Sequence, residues 1–227
     1  MTRPCYTFAP ACSTRMALSS TMLRQRRGVG MRSGTSWSRS TSSGARSSYS
    51  TPGSARSKGR HENFWQVTGD ALDFAMETLR ITDGALRERL MNLYLSLESF
   101  PEVPDVLRRL KATGIKTAIL SNGTREMLRA AVDNSKISDS LDEVLSVEDV
   151  GVYKPHPKVY QLAVDRLGIE PGAISFQSSN AWDAHAASAF GLHVVWCNRY
   201  GQVRERLPGT PDREIKSLAG LPALVGA

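Results

Sequence analysis

Three polar clusters in this chain stand where side chains could meet to do chemistry. They are Leu120-Ser121-Asn122-Gly123, Val152-Tyr153-Lys154-Pro155 and Ser178-Ser179-Asn180-Ala181-Trp182-Asp183. A lysine in a polar cleft stabilises negative charge on a nucleophile or a leaving group. Serine and asparagine offer neutral donors suited to a carboxylate or a halide. Asn180 and Asp183 are three residues apart at a helix start, a spacing that predicts both on one side, able to orient a water. Singly, each residue has a plainer reading: Ser178 or Asn180 as a helix cap, Lys154 as a solvated surface charge. Their recurrence at three successive segment ends argues for a site.

The elements that must position them follow from apolar patterning. Ile115–Leu120, Glu143–Ser146, Ala173–Gln177 and His193–Cys197 read as short strands. Between them, Val106–Thr113, Arg125–Asn134, Pro157–Leu167 and Ala181–Phe190 read as helices, with Gly114, Gly168 and Gly191 as terminators. Strands alternating with helices of this length predict a doubly wound, parallel, Rossmann-like α/β sheet. Ligands of such sheets sit beyond the carboxyl ends of the strands, where the polar clusters fall. Upstream, Phe64, Val67, Leu72, Ala75, Met76 and Leu79 form one helical stripe and Leu86, Leu90, Leu93 and Leu97 a second. With the turn Thr82-Asp83-Gly84 between them, they predict a helical hairpin suited to capping the core.

Composition breaks at residue 61. Residues 1–61 contain ten Arg, one Lys, fourteen Ser and no acidic residue, a charge of +11. The remainder holds 18 basic and 22 acidic residues, a charge of −4, as in an ordinary soluble protein. Three parts are therefore expected: 1–61 aberrant, 62–100 a helical cap remnant and 101–227 the core. Cys5, Cys12 and Cys197 are too few and too odd for a disulfide framework, and no apolar run approaches a membrane span. A cytoplasmic location follows as the default expectation, with no membrane partner.

Leu120-Ser-Asn-Gly, Val152-Tyr-Lys-Pro with Val159-Tyr160, and Ser178-Ser-Asn-Ala-Trp-Asp together resemble the L-2-haloacid dehalogenases of the haloacid dehalogenase superfamily. The likeness extends over about residues 60–220, including Phe64-Trp65 and Asn198-Arg199. It implies covalent catalysis. An Asp after the first strand displaces halide from a small 2-haloacid with inversion, and water then cleaves the ester. Carried over residue by residue, the resemblance pairs Lys154 with that Asp. It gives Ser121 the substrate carboxylate and Asn122 the departing halide. Ser178, Asn180 and Asp183 orient the lysine and the water, with Tyr160 nearby, and Phe64 and Trp182 line the apolar side. Superfamily phosphatases bind magnesium through acidic residues at the first and last motifs. Ser178-Ser179 stands where an acidic pair is common, which favours a reaction without metal or other cofactor. A homodimer is a family expectation.

The nucleophile is missing. The resemblance implies Asp-x-Tyr-Gly-Thr near residue 14, yet no Asp precedes Asp70. Regrouping plausible codons of Ser13–Thr21 by one base can read Asp-Ala-Tyr-Gly-Thr-Leu-Phe-Asp, the Asp straddling Ser13 and Thr14. The glycine is forced, because Met16 always ends in G and Ala17 always begins GC. The same shift over Ser43–Ser57 can yield a segment like the family's cap, its halide-contacting Arg straddling Gly44 and Ala45. A compensated frameshift over about residues 11–57 accounts for the acid-free composition and the lost periodicity together. It predicts an inactive, poorly folded chain without its central first strand. The competing readings are a transit peptide, a superfamily phosphatase, and a basic-armed nucleic-acid-binding protein. Ser/Arg content without interleaved aromatics disfavours the last, so no nucleic-acid partner is expected.

Overall fold

The computed structural model describes residues 62–227 and, as backbone alone, two N-terminal strands, Met16–Ser19 (β1) and Leu23–Gln25 (β2). Strand Leu97–Ser99 (β3) pairs antiparallel with β2. The main sheet contains Lys116–Ser121 (β4), Glu143–Ser146 (β5), Ile174–Ser178 (β6), His193–Cys197 (β7) and Arg213–Ile215 (β8). Its order is β5-β4-β1-β6-β7-β8, and every pair is parallel.

Helices lie on both faces, as the alternating pattern predicts. On one face Pro157–Leu167 (α5) and Ala181–Phe190 (α6) bury Val159, Tyr160, Ala163 and Ala184 against Leu120, Leu145, Phe176 and Trp196. On the other, Val103–Ala112 (α3), Arg125–Ser135 (α4) and Leu221–Val225 (α7) bury Leu107, Leu110, Leu128 and Leu221 against Ile119, Val195 and Cys197. Alternate strand residues serve opposite cores, which is why β4 and β7 are apolar almost throughout. Gly168 and Gly191 end α5 and α6 with φ of 63° and 109°, a region that side chains other than glycine's seldom adopt.

The helical hairpin is Phe64–Thr78 (α1) and Gly84–Asn92 (α2). Asn63 and Asp83 cap the two helices through their side-chain oxygens. The second helix stops short of the predicted leucine stripe. Leu93–Leu95 forms a single tight turn and Leu97 enters β3, because pairing with β2 satisfies the backbone that a helix would otherwise hold.

The sequence pattern predicts that the first strand is lost, yet β1 occupies the slot between β4 and β6. Met16 to Leu18 align with Lys116 to Ala118, and Met16 to Ser19 with Ile174 to Gln177. Ladder hydrogen bonds use only amides and carbonyls, so an extended tetrapeptide of almost any composition can complete them. The positions expected to encode the nucleophile, Ser13/Thr14, lie outside the described residues, as do Gly44 and Ala45.

Candidate active site

The site begins where β6 ends. Ser178, the last residue of that strand, is fully buried, and its Oγ donates to Asp183 Oδ2 at 2.9 Å. Asp183 lies in the first turn of α6 and is 1% exposed. Tyr160, inward on α5, donates its hydroxyl to Asp183 Oδ1 at 2.8 Å. Lys154 follows β5 by way of a short turn, and its Nζ stands 3.1 Å from Asp183 Oδ2, with only 3% of its side chain exposed. One carboxylate therefore gathers an ammonium and two hydroxyls at the carboxyl ends of the strands.

The electrostatics follow from that burial. Desolvation pushes the Lys154 ammonium below the ordinary lysine range, and the carboxylate of Asp183 opposes the shift. Tyr160 is held well above the ordinary phenol range by burial and by the same carboxylate. Neither hydroxyl ionises; both serve as donors. The Phe176 ring lies 4.9 Å from Lys154 Nζ and faces the charge with its π-system.

A second strand end closes the arrangement. Ser121 ends β4, and its Oγ accepts from Gly123 N at 3.1 Å, turning the chain into α4. Ser146, at the end of β5, donates to the Gly123 carbonyl at 2.7 Å and fixes that turn. Asn122 Oδ1 accepts from the Lys154 backbone amide at 3.0 Å, tying the second cluster to the first. Phe64, opening α1, packs on Tyr153 with ring centroids 6.2 Å apart, beside Lys154. The Tyr153 hydroxyl donates to the Glu62 carbonyl, and burial pushes its own ionisation up to about 12. Trp182 is half-buried at the start of α6.

Lys154, Tyr160 and Ser178 thus all contact Asp183, Asn122 adjoins Lys154, and Ser121 stands at the neighbouring strand end. Asn180 differs from Asp183 in its surroundings: Asp183 is buried whereas Asn180 is exposed. Asn180 is the cap residue, with extended backbone angles of −86° and 119°. Its side chain makes no capping bond; Ser178 Oγ accepts from the Asn180 amide instead, at 3.2 Å. Two contributors escaped the sequence reading, Phe176 and Ser146, and Tyr153 entered it only as a member of its cluster. Phe176 could have been found, since it precedes Ser178 by two and so shares its side of β6.

Among the described residues no group of three His, Cys, Asp or Glu side chains comes together. A cleft of about 180 Å³ lies elsewhere, between α1 and α2, lined by Trp65, Gln66, Arg87 and Met91. It belongs to the hairpin and does not reach the strand ends.

A family model described as haloacid dehalogenase-like hydrolase matches residues 36–191. The (S)-2-haloacid dehalogenase of Pseudomonas sp. strain YL is 48% identical over 160 residues, 70% of this chain and 69% of that one. The chain belongs to the (S)-2-haloacid dehalogenase family. Those relatives are hydrolases that act on carbon–halide bonds. Two solved structures carry the likeness into three dimensions. A dehalogenase with an intermediate complex is 40% identical, with a TM-score of 0.75 and coverage of 78% of each chain. The L-2-haloacid dehalogenase of Xanthobacter autotrophicus with chloropropionic acid covalently bound is 33% identical, with a TM-score of 0.69. It covers 74% of this chain and 78% of its own. The likeness in three dimensions extends to the doubly wound parallel sheet.

Proposed function

We propose that the chain derives from a hydrolytic dehalogenase of small L-2-haloalkanoic acids, and that as written it lacks the group that carries out the first step. The observation that carries this reading is the buried Lys154–Asp183 pair at the strand ends. A lysine taken out of water beside a carboxylate, two hydroxyls and an apolar ring is arranged to favour added negative charge close by.

In the reaction, a carboxylate at the end of the first strand attacks the carbon bearing the halogen. The carbon–halogen bond breaks, halide leaves with its electron pair, and the carbon inverts. Lys154 stabilises the attacking carboxylate, Ser121 holds the substrate carboxylate, and Asn122 lies where halide departs. Water then adds to the ester carbonyl, its proton passing to the Ser178–Asn180–Asp183 side; the acyl C–O bond breaks, the departing alkoxide takes up that proton, and the free carboxylate and the 2-hydroxy acid result. Tyr160 fixes Asp183, while Phe64 and Trp182 exclude water from the apolar flank. The Asp absent from residues 1–69 is the nucleophile these groups would serve, and a one-base frame change over about residues 11–57 can restore it with a suitable choice of codons.

The test has two arms. The chain as written is expected to release no halide from L-2-chloropropionate. A chain with those codons read in the shifted frame is expected to release it, and to lose that activity on Lys154→Met. Halide release by the chain as written would sink the claim of a missing nucleophile. Silence from a folded, frame-restored chain would sink the claim of descent. Sequencing the first 180 bases of the gene tells a change in the gene from an error in its reading.

A further inference from the structure

On its C-terminal side the helical hairpin passes to the core through Ser96–Glu102, and two sets of contacts hold this crossing. Asn134 and Ser135, at the end of α4, form the first. Asn134 Nδ2 donates to the carbonyls of Leu95 and Leu97 at 2.9 and 3.2 Å, and the Ser99 amide donates to Ser135 Oγ at 2.7 Å. Arg199 forms the second. Its guanidinium lies 3.8 Å over the centre of the Phe100 ring, and its Nη2 stands 2.6 Å from Glu102 Oε1. Ser217 Oγ donates to the same carboxylate oxygen at 3.0 Å.

Arg199 is itself rigidly based. The preceding residue, Asn198, is buried; its side chain donates to the Gln202 carbonyl and to Glu214, and accepts from the Gln202 amide. The Arg199 side chain is only 10% exposed, and among the described residues neither its buried Nε nor its Nη2 makes a hydrogen bond, so its contact with Glu102 is an ion pair alone. An ion pair withdrawn from water with two donors unanswered is a poor source of stability. A planar guanidinium held over a ring and beside a carboxylate is, in contrast, a good source of orientation.

We propose that Arg199 is a positioning residue. Through Phe100 and Glu102 it clasps the crossing, and so sets where the hairpin, with Phe64 at its start, lies over the strand ends. This proposal rests on the contacts of the crossing and not on halide release, so it stands or falls separately from the dehalogenase reading.

Hydrogen exchange of the full chain, read by mass spectrometry, tests it in the variants Arg199→Met, Arg199→Lys and Glu102→Gln. Amides of residues 64–103 are expected to exchange roughly tenfold faster or more, the scale of a lost charge-assisted contact. Amides of β6, α6 and β7 keep their wild-type rates. Arg199→Lys, which retains charge but not the planar stack, gives most of the same increase. Should Arg199→Met fail to fold, the near-isosteric Glu102→Gln decides by the same criterion. Unchanged exchange over residues 64–103, or an increase spread evenly over the core, overturns the proposal.

Discussion

Asp183 holds the site together, because Lys154, Tyr160 and Ser178 all direct hydrogens at its two oxygens. Asp183→Asn leaves a buried ammonium without a counter-charge. It is expected to lower stability by about 3–5 kcal/mol, read as a shift of the urea midpoint. The double variant Lys154→Met/Asp183→Leu removes both charges at similar volume and should cost much less. A double variant as unstable as Asp183→Asn would show that the pair is not the source of the loss. The residue types at this site were legible in the sequence because each closes an apolar segment. The partnership of Tyr160 with Asp183 was not, since it depends on how α5 packs against α6. The exposure of Asn180 was equally hidden, since it depends on what packs over the start of α6.

The elements were legible wherever burial on both faces enforced a pattern. The strands β4, β5, β6 and β7 and helices α3 to α6 all stand within a few residues of their predicted ends. β8 went unseen because it has three residues, two of them exposed, and only one neighbouring strand. β3 was absorbed into a leucine stripe that satisfied helical spacing by coincidence. Caps act at this scale. Thr124 Oγ1 accepts from the Met127 amide at 3.2 Å, and α4 carries the Asn134 and Ser135 that grip the crossing. Thr124→Ala should therefore cost about 1 kcal/mol in thermal or urea unfolding. The crossing also has a pH signature. Burial alone would push the Glu102 carboxyl above the ordinary glutamate range, but its own backbone amide, Arg199 and Ser217 outweigh burial and leave it below that range. A carboxylate depressed in the folded state adds stability that is complete above the unfolded value, about 4.3, and fades as pH falls through the folded one. The stability difference between wild type and Glu102→Gln should accordingly shrink on acidification below about pH 5. A difference independent of pH from 7 to 3 would assign Glu102 a neutral role.

Taken whole, the molecule combines an acidic folded part with a strongly basic N-terminal stretch, and the two meet at the middle of the sheet. β1 is hydrogen-bonded on both sides, so a proline there removes a ladder bond that no edge could spare. Leu18→Pro is expected to cost about 3 kcal/mol or more in urea unfolding. An unchanged midpoint would mean that the sheet does not depend on that strand. If the dependence holds, the central position has an unusual property. A β-ladder is indifferent to the letters of the segment that fills it, whereas the reaction proposed for this fold hinges on one letter at that strand's end. The middle of the sheet is then where a shift in coding can erase chemistry and leave architecture standing.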